Sequence, residues 1–301
     1  KNKQDITLQT IEAYYNLLFL KKTYEVYAEN FSNVNQRLEA TKKEFEVGLL
    51  SKTDVAQAES FMNSAKINML NSKVNYDNAV NLFNDLIGTE SGELSFSNIP
   101  VSLPLNFSEF KERVIINNLA IQMAKLNVDI KKAHVGYARS AYYPKVDLTA
   151  TKTEFDESSS TIDSGTNEEV SATLTWPIFN SGKSISNVRK AKESQNTYLI
   201  ILQKTQIDTL TLAKKIWEQS EISKDQIIAA ESSYEASSTA YEGTVIEQKV
   251  GERTVLDVLN AQQTLLNSEI ELINQRKNKE IIKSQVFYLM GDLTIENMRS
   301  L

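Results

Sequence analysis

Between Lys183 and Val250 lie 68 residues with no proline and a single glycine, Gly243. A segment that cannot turn sharply has to be one long element, and Lys, Glu, Gln, Leu and Ala recur through it, residues that lose little on entering a helix. As one helix it would be roughly 100 Å long, a length for which a lone globular domain has no use. The rest of the chain shares the habit, with 9 glycines and 4 prolines among 301 residues. The sequence therefore predicts a mainly α protein of long elements, in which the few glycines and prolines act as punctuation.

That punctuation repeats. Val47-Gly48, Ser51, Asp54-Val55 and Ala58 recur as Val250-Gly251, Thr254, Asp257-Val258 and Ala261, and each pair is 203 positions apart. Gly88 and Gly291 each follow the first glycine of their copy by 40 positions. An internal duplication of one unit explains both regularities.

Each unit reads as an antiparallel helical hairpin. In the first, Leu20, Tyr24, Tyr27, Phe31, Val34, Leu38, Thr41 and Phe45 follow the 4-3 spacing of a coiled-coil seam. The seam resumes beyond Gly48 with Val55, Ala58, Met62, Ala65, Met69, Ser72, Tyr76, Ala79, Phe83 and Leu86. Tyr24, Tyr27 and Tyr76 are thus core residues, and Trp217, in mid-helix, packs between helices. Gly48 and Gly251 suit the left-handed position that ends an incoming helix. Ser51-x-x-Asp54 and Thr254-x-x-Asp257 are capping boxes for the outgoing helices.

The pattern changes between the copies. Residues 89–107, with Gly92, Pro100 and Pro104, read as a loop, followed by a short helix after Ser108 and a longer one from about Leu119 to Ser140. Strict alternation then appears: Val146, Leu148 and Ala150 against Asp147, Thr149 and Thr151, and Val170, Ala172, Leu174, Trp176 and Ile178 against Ser171, Thr173 and Thr175. Residues 156–167 between them read as a loop. Each run has roughly the 9–11 residues that a tilted barrel strand needs to cross a bilayer. Val170, Ala172, Leu174 and Trp176 would face lipid, with Tyr142, Tyr143 and Trp176 as an aromatic belt. The other reading is a half-buried soluble hairpin packed on the helices. Two strands alone are marginal in water, and open strand edges cannot exist in lipid, so a membrane hairpin completes its ladder with other chains or other sequence. The predicted segments are a helical hairpin over 1–88, a connecting region over 89–141, a strand hairpin over 142–180, a second helical hairpin over 181–291 and a tail over 292–301.

Composition narrows the function. The net charge of −6, with Lys and Arg interspersed among acids, gives a nucleic acid no basic stripe to bind. No cysteine is present, and His134 is the only histidine, so thiolate chemistry, histidine triads and His-rich zinc sites have no residues to use. His134 reads as a surface or packing residue. There is no glycine-rich phosphate loop. No apolar run approaches the roughly 20 residues of a membrane helix. Neither a cofactor, a metal nor a catalytic constellation is expected.

The two tip motifs, Tyr143-Pro144 leading into a strand, Trp176-Pro177-Ile178-Phe179 closing the hairpin, and Leu86-Ile87-Gly88 with Met290-Gly291 together resemble the TolC family of outer membrane efflux proteins. The resemblance covers essentially the whole chain. It implies a homotrimer in the outer membrane of a diderm bacterium, with most of the chain in the periplasm. Each protomer would give four strands to a twelve-stranded barrel and long helices to a tunnel. It also implies a passive exit duct for efflux or type I secretion, docked to a periplasmic adaptor protein and through it to an inner-membrane pump. One strand hairpin of the expected two is visible. Trp176 precedes Gly251 by 75 positions, so its counterpart falls ahead of Lys1, and the resemblance places a first helix, a first hairpin and an export signal upstream.

The resemblance also assigns a gate. Thr53 and Asp54 on the first tip and Arg253 on the second match the links that hold the family's tunnel closed, with Asp54 and Arg253 as a charge-paired latch. Gln248 departs from the pattern, since the family's best-known member has a tyrosine there. Asp257 matches the first position of an acidic constriction and Asn260 the uncharged second, so a trimer would present three carboxylates rather than six, which still favours cations. Capping alone also accounts for Asp54 and Asp257, whereas Arg253 has no capping duty. A soluble periplasmic coiled-coil adaptor or scaffold shares the helical hairpins and the acidic balance, and is the alternative.

Overall fold

The computed structural model describes residues 2–89, 103–159 and 162–293. Its elements are α1 (Asn2–Glu46), α2 (Lys52–Ile87), α3 (Phe107–Asn117), α4 (Leu119–Ser140), β1 (Lys145–Ser159), β2 (Ile162–Thr175), α5 (Lys183–Lys249) and α6 (Val255–Met290). Gly92 and Pro100 of the expected 89–107 loop, and most of the 292–301 tail, lie outside the described residues. The fold is mainly α, with long antiparallel hairpins and one strand hairpin. Gly243 does not interrupt α5, which is continuous over 67 residues. No described helix is long and apolar enough to cross a membrane.

The chain divides into two compact units, one of residues 1–119 and 209–301, the other of 120–208. In the first, α2 lies along α1 on the predicted seam, and α6 packs against α1 and also meets α2. The four buried residues of α2 are Ala58, Ala65, Ser72 and Phe83, all of them seam positions. Val34, Leu38 and Thr41 answer them from α1. Tyr24 and Tyr76 stack with parallel rings 6.2 Å apart and are half-buried rather than enclosed.

Two apolar clusters hold this unit. Near the tips, Val34, Leu38, Ala58 and Ala65 meet Val255 and Leu259. Farther along, Tyr15 and Leu18 of α1, Phe110 and Val114 of α3, Ile216 of α5 and Val286, Phe287 and Met290 of α6 form the larger core. Trp217 stacks on Phe110 at 5.5 Å, which makes it interhelical packing as the sequence predicted. Burying a side chain of the size of Phe110 or Met290 contributes roughly 1.5–3 kcal/mol. Gly291, at φ +77, ends α6 against α3, where a Cβ would stand 2.6 Å from the Asn117 carbonyl oxygen. Polar bridges tie α1 to α6 as well. Gln262 Nε2 donates to Asn30 Oδ1 at 2.9 Å, Gln285 Nε2 to Glu12 Oε1 at 3.0 Å, and the Tyr288 hydroxyl to Asp5 Oδ1 at 2.6 Å. Asn30 and Gln262 are both buried, and Gln262 Oε1 has no partner.

In the second unit β1 and β2 form one antiparallel ladder in which Val146 faces Leu174, Leu148 faces Ala172 and Ala150 faces Val170. The strands are 15 and 14 residues long, longer than predicted. Most of the segment read as a loop at 156–167 belongs to the ladder. Apart from Ile162 and Gly165 the residues of that segment are polar in sequence, so the alternation that marks a strand lapses while the backbone pairing continues. Pro144 precedes β1 and Pro177 follows β2. Proline cannot donate to a ladder, so the two residues close its base. Trp176 Nε1 donates to the Tyr142 carbonyl across that base at 3.3 Å. Asn180, through its amide and carbonyl oxygens, caps the start of α5 at Lys183 and Ser184. His134 is exposed on α4.

Candidate functional sites at the helix tips and on the strand pair

The tips are built from backbone outward. At the first, Gly48 takes φ +77, its N–H donates to the Phe45 carbonyl at 2.9 Å, and Leu49 N–H donates to Glu44 at 2.9 Å. At the second, Gly251 takes φ +83, its N–H donates to Gln248 at 3.1 Å, and Glu252 N–H donates to Glu247 at 2.9 Å. Both are the paired closure of a Schellman motif, which requires a left-handed residue at that point. The duplication therefore preserves backbone geometry as well as letters.

The outgoing helices start alike. Asp54 Oδ2 accepts from Ser51 N at 2.8 Å and from Ser51 Oγ at 2.7 Å, while Asp54 N donates to Ser51 Oγ at 3.3 Å. Asp257 repeats this with Thr254 at 2.9, 2.8 and 3.2 Å. The Ser51 hydroxyl, and then its N–H, hold the Asp54 carboxyl below its ordinary range. Thr254 N–H and hydroxyl do the same to Asp257, helped by the nearby Arg253 charge. Leu50, Val55 and Ala58 share one cluster with Val255 and Leu259, so the two tips lie side by side.

Arg253 does not reach Asp54. Its Nε donates to Glu247 Oε2 at 2.9 Å, across its own turn, with both side chains about half exposed. Arg253 thus has a local duty that the sequence reading did not give it, and Glu247 is the tip residue that reading missed. The signal was present as an acid and a base flanking Val250-Gly251, but only the Schellman geometry folds them together. Gln248 supports the turn through its carbonyl. Thr53 and Asn260 are exposed, and the Asn260 carbonyl accepts from Thr264. Among the described residues no group of three or more His, Cys, Asp or Glu is placed to hold a metal ion.

The strand pair presents one apolar face. Val146, Leu148, Val170, Leu174 and Trp176 are each between 58% and 76% exposed, a patch that no described part of this chain covers. A contiguous exposed apolar face of this kind marks a contact with lipid or with another chain.

The sequence pattern of the family described as outer membrane efflux protein matches residues 1–89 and 112–292. The chain is 23% identical over 298 residues to the outer membrane efflux protein BepC of Brucella suis biovar 1 (strain 1330), covering 99% of this chain and 65% of that protein. It is 24% identical over 323 residues to the outer membrane protein TolC of Escherichia coli (strain K12), covering 100% of this chain and 64% of that one. The chain thus spans somewhat less than two thirds of the length of these relatives. Among solved structures, the Campylobacter jejuni CmeC outer membrane channel superposes with a TM-score of 0.79 at 18% identity, covering 99% of this chain and 65% of that chain.

Proposed function

The chain belongs to the outer membrane efflux protein family, and on that premise we propose that it forms the wall of a gated duct through which solutes leave a diderm cell passively. Three copies place their strand hairpins in a shared outer-membrane barrel and their helical hairpins in a periplasmic tunnel. The tips dock on a periplasmic adaptor, which links them to an inner-membrane pump. The observation that carries this reading is the one-sided apolar row of β1 and β2, exposed along both strands and backed by a row of Asp, Thr and Ser. In lipid an apolar row outside and a hydroxyl row inside are what a water-filled barrel requires. The soluble-scaffold alternative leaves that row against water.

The tips serve as the gate. In the closed duct Arg253 exchanges Glu247 for Asp54 of an adjoining tip, and Thr53 lines the same contact. Asp257 contributes one carboxylate per protomer to the constriction beside the uncharged Asn260, so cations pass in preference. Opening is a shift between two packings of the hairpins.

Expression of the full coding sequence followed by membrane separation tests the reading. The expected product sediments with outer membranes, cross-links as a trimer and opens cation-preferring channels in planar bilayers. Release as a monomer without detergent is the result expected of a soluble adaptor, and it would contradict the duct.

A further inference from the structure

The second face of the strand pair is polar for four successive pairs: Asp147 with Thr173, Thr149 with Ser171, Thr151 with Glu169 and Thr153 with Asn167. The row then ends on Phe155 opposite Gly165. A Cβ built on Gly165 would lie 2.6 Å from Phe155 Cζ and 2.8 Å from Cε2. The end of the ring therefore fills the space that a side chain at position 165 would take, and a residue without one leaves room for it. Phe155 is half-buried where its row neighbours Thr151 and Thr153 are exposed.

Its height on the strand is also defined. On the apolar face the last aliphatic pair is Ala150 with Val170. The next residue outward on β1 is Lys152, which pairs with Glu154 at 2.9 Å and approaches Glu168 to 4.0 Å. Charges at that level end the apolar band. Phe155 is five residues beyond Ala150, roughly 17 Å farther toward the turn.

Resting on the barrel reading above, we infer that Phe155, laid on Gly165, is an apolar foothold in the otherwise polar wall of the duct, near its outer mouth, for aromatic or amphiphilic solutes. A trimer carries one ring on each protomer. A wall of hydroxyls and carboxylates offers a departing apolar solute nothing to leave water for. A ring there offers its π-face to aromatic groups and organic cations. The competing role is structural. An aromatic ring that covers a strand glycine stabilises the pairing, and such a role moves assembly or melting but not the handling of a solute.

Single-channel recording with the trimer made from the full coding sequence separates the two. The probe is tetraphenylphosphonium, added from the side of the β1–β2 turn. Phe155→Ser is expected to shorten its blocking events roughly fivefold, the equivalent of one lost aromatic contact, and Phe155→Trp to lengthen them, with potassium chloride conductance unchanged in both. Equal block times in the wild type and both variants would overturn the inference. If the serine variant does not assemble, Phe155→Leu keeps the apolar bulk over Gly165 and removes the π-face. Shortened block then supports the inference, and unchanged block overturns it. Absence of any channel from the unsubstituted protein would instead overturn the barrel reading beneath it.

Discussion

Arg253 turns back on its own hairpin, where its guanidinium Nε lies 2.9 Å from Glu247 Oε2 across the Gly251 turn. The residue proposed for the latch is therefore paired with a neighbour in its own chain. Arg253→Ala is expected to raise single-channel conductance, because no cation is left to close on Asp54. Glu247→Gln is expected to lower it, because Arg253 is then free to latch. Changes in the same direction in planar-bilayer recordings would remove Arg253 from the gate.

Glycine at the element ends is a matter of backbone at the tips and of space as well at the end of α6. Nothing lies within 4 Å of a Cβ built on Gly48 or Gly251, so alanine there meets only the left-handed φ, a cost of about 1 kcal/mol. Gly291→Ala meets the same φ and also the Asn117 carbonyl. Urea denaturation is expected to rank Gly291→Ala clearly below Gly48→Ala in stability.

The two capping carboxylates give the helix starts a pH dependence. Both are lowered by the hydrogen bonds of their own boxes, so the folded form holds its proton less tightly than the unfolded one. Their contribution is complete above the ordinary carboxylate range near pH 4 and is lost as pH falls through the lowered values. The double variant Asp54→Asn with Asp257→Asn is expected to be less stable than the wild type at pH 7, and to lose less than the wild type between pH 5 and pH 3. Melting curves across that range check it, and parallel losses would contradict the assignment.

Asn30 and Gln262 bind α1 to α6 at a net cost, because Gln262 Oε1 is buried without a partner. Asn30→Leu alone strands a second polar atom and is expected to destabilise by about 1–3 kcal/mol. The double change to leucine at both positions is expected to recover most of that loss. A double-mutant cycle with no coupling would show that the pair does not act as a unit.

What was legible in the sequence follows from period and punctuation. Ala58, Ala65, Ser72 and Phe83 were on the predicted seam and are buried, because a two-helix seam repeats regularly enough to be read from one chain. Gly48, Gly251, Ser51 and Thr254 were legible because left-handed turns and caps admit few residue types. The Asn30–Gln262 bridge between α1 and α6 was not, since both residues are polar and 232 positions apart, invisible to a search for apolar spacing. The outer part of the strand hairpin was missed for the reason already seen in its composition, a run of polar residues without apolar alternation. Glu247 was missed because its meeting with Arg253 depends on the exact closure of a turn, which the letters name but do not draw.

The central claim is that the apolar row of the strand pair faces lipid while its partner row faces water. These 301 residues contain no cysteine, so single cysteines placed along 146–151 report each position against the unsubstituted protein. In outer-membrane vesicles a water-soluble maleimide is predicted to label Asp147→Cys, Thr149→Cys and Thr151→Cys and to spare Val146→Cys, Leu148→Cys and Ala150→Cys. Equal labelling of both rows would contradict the account.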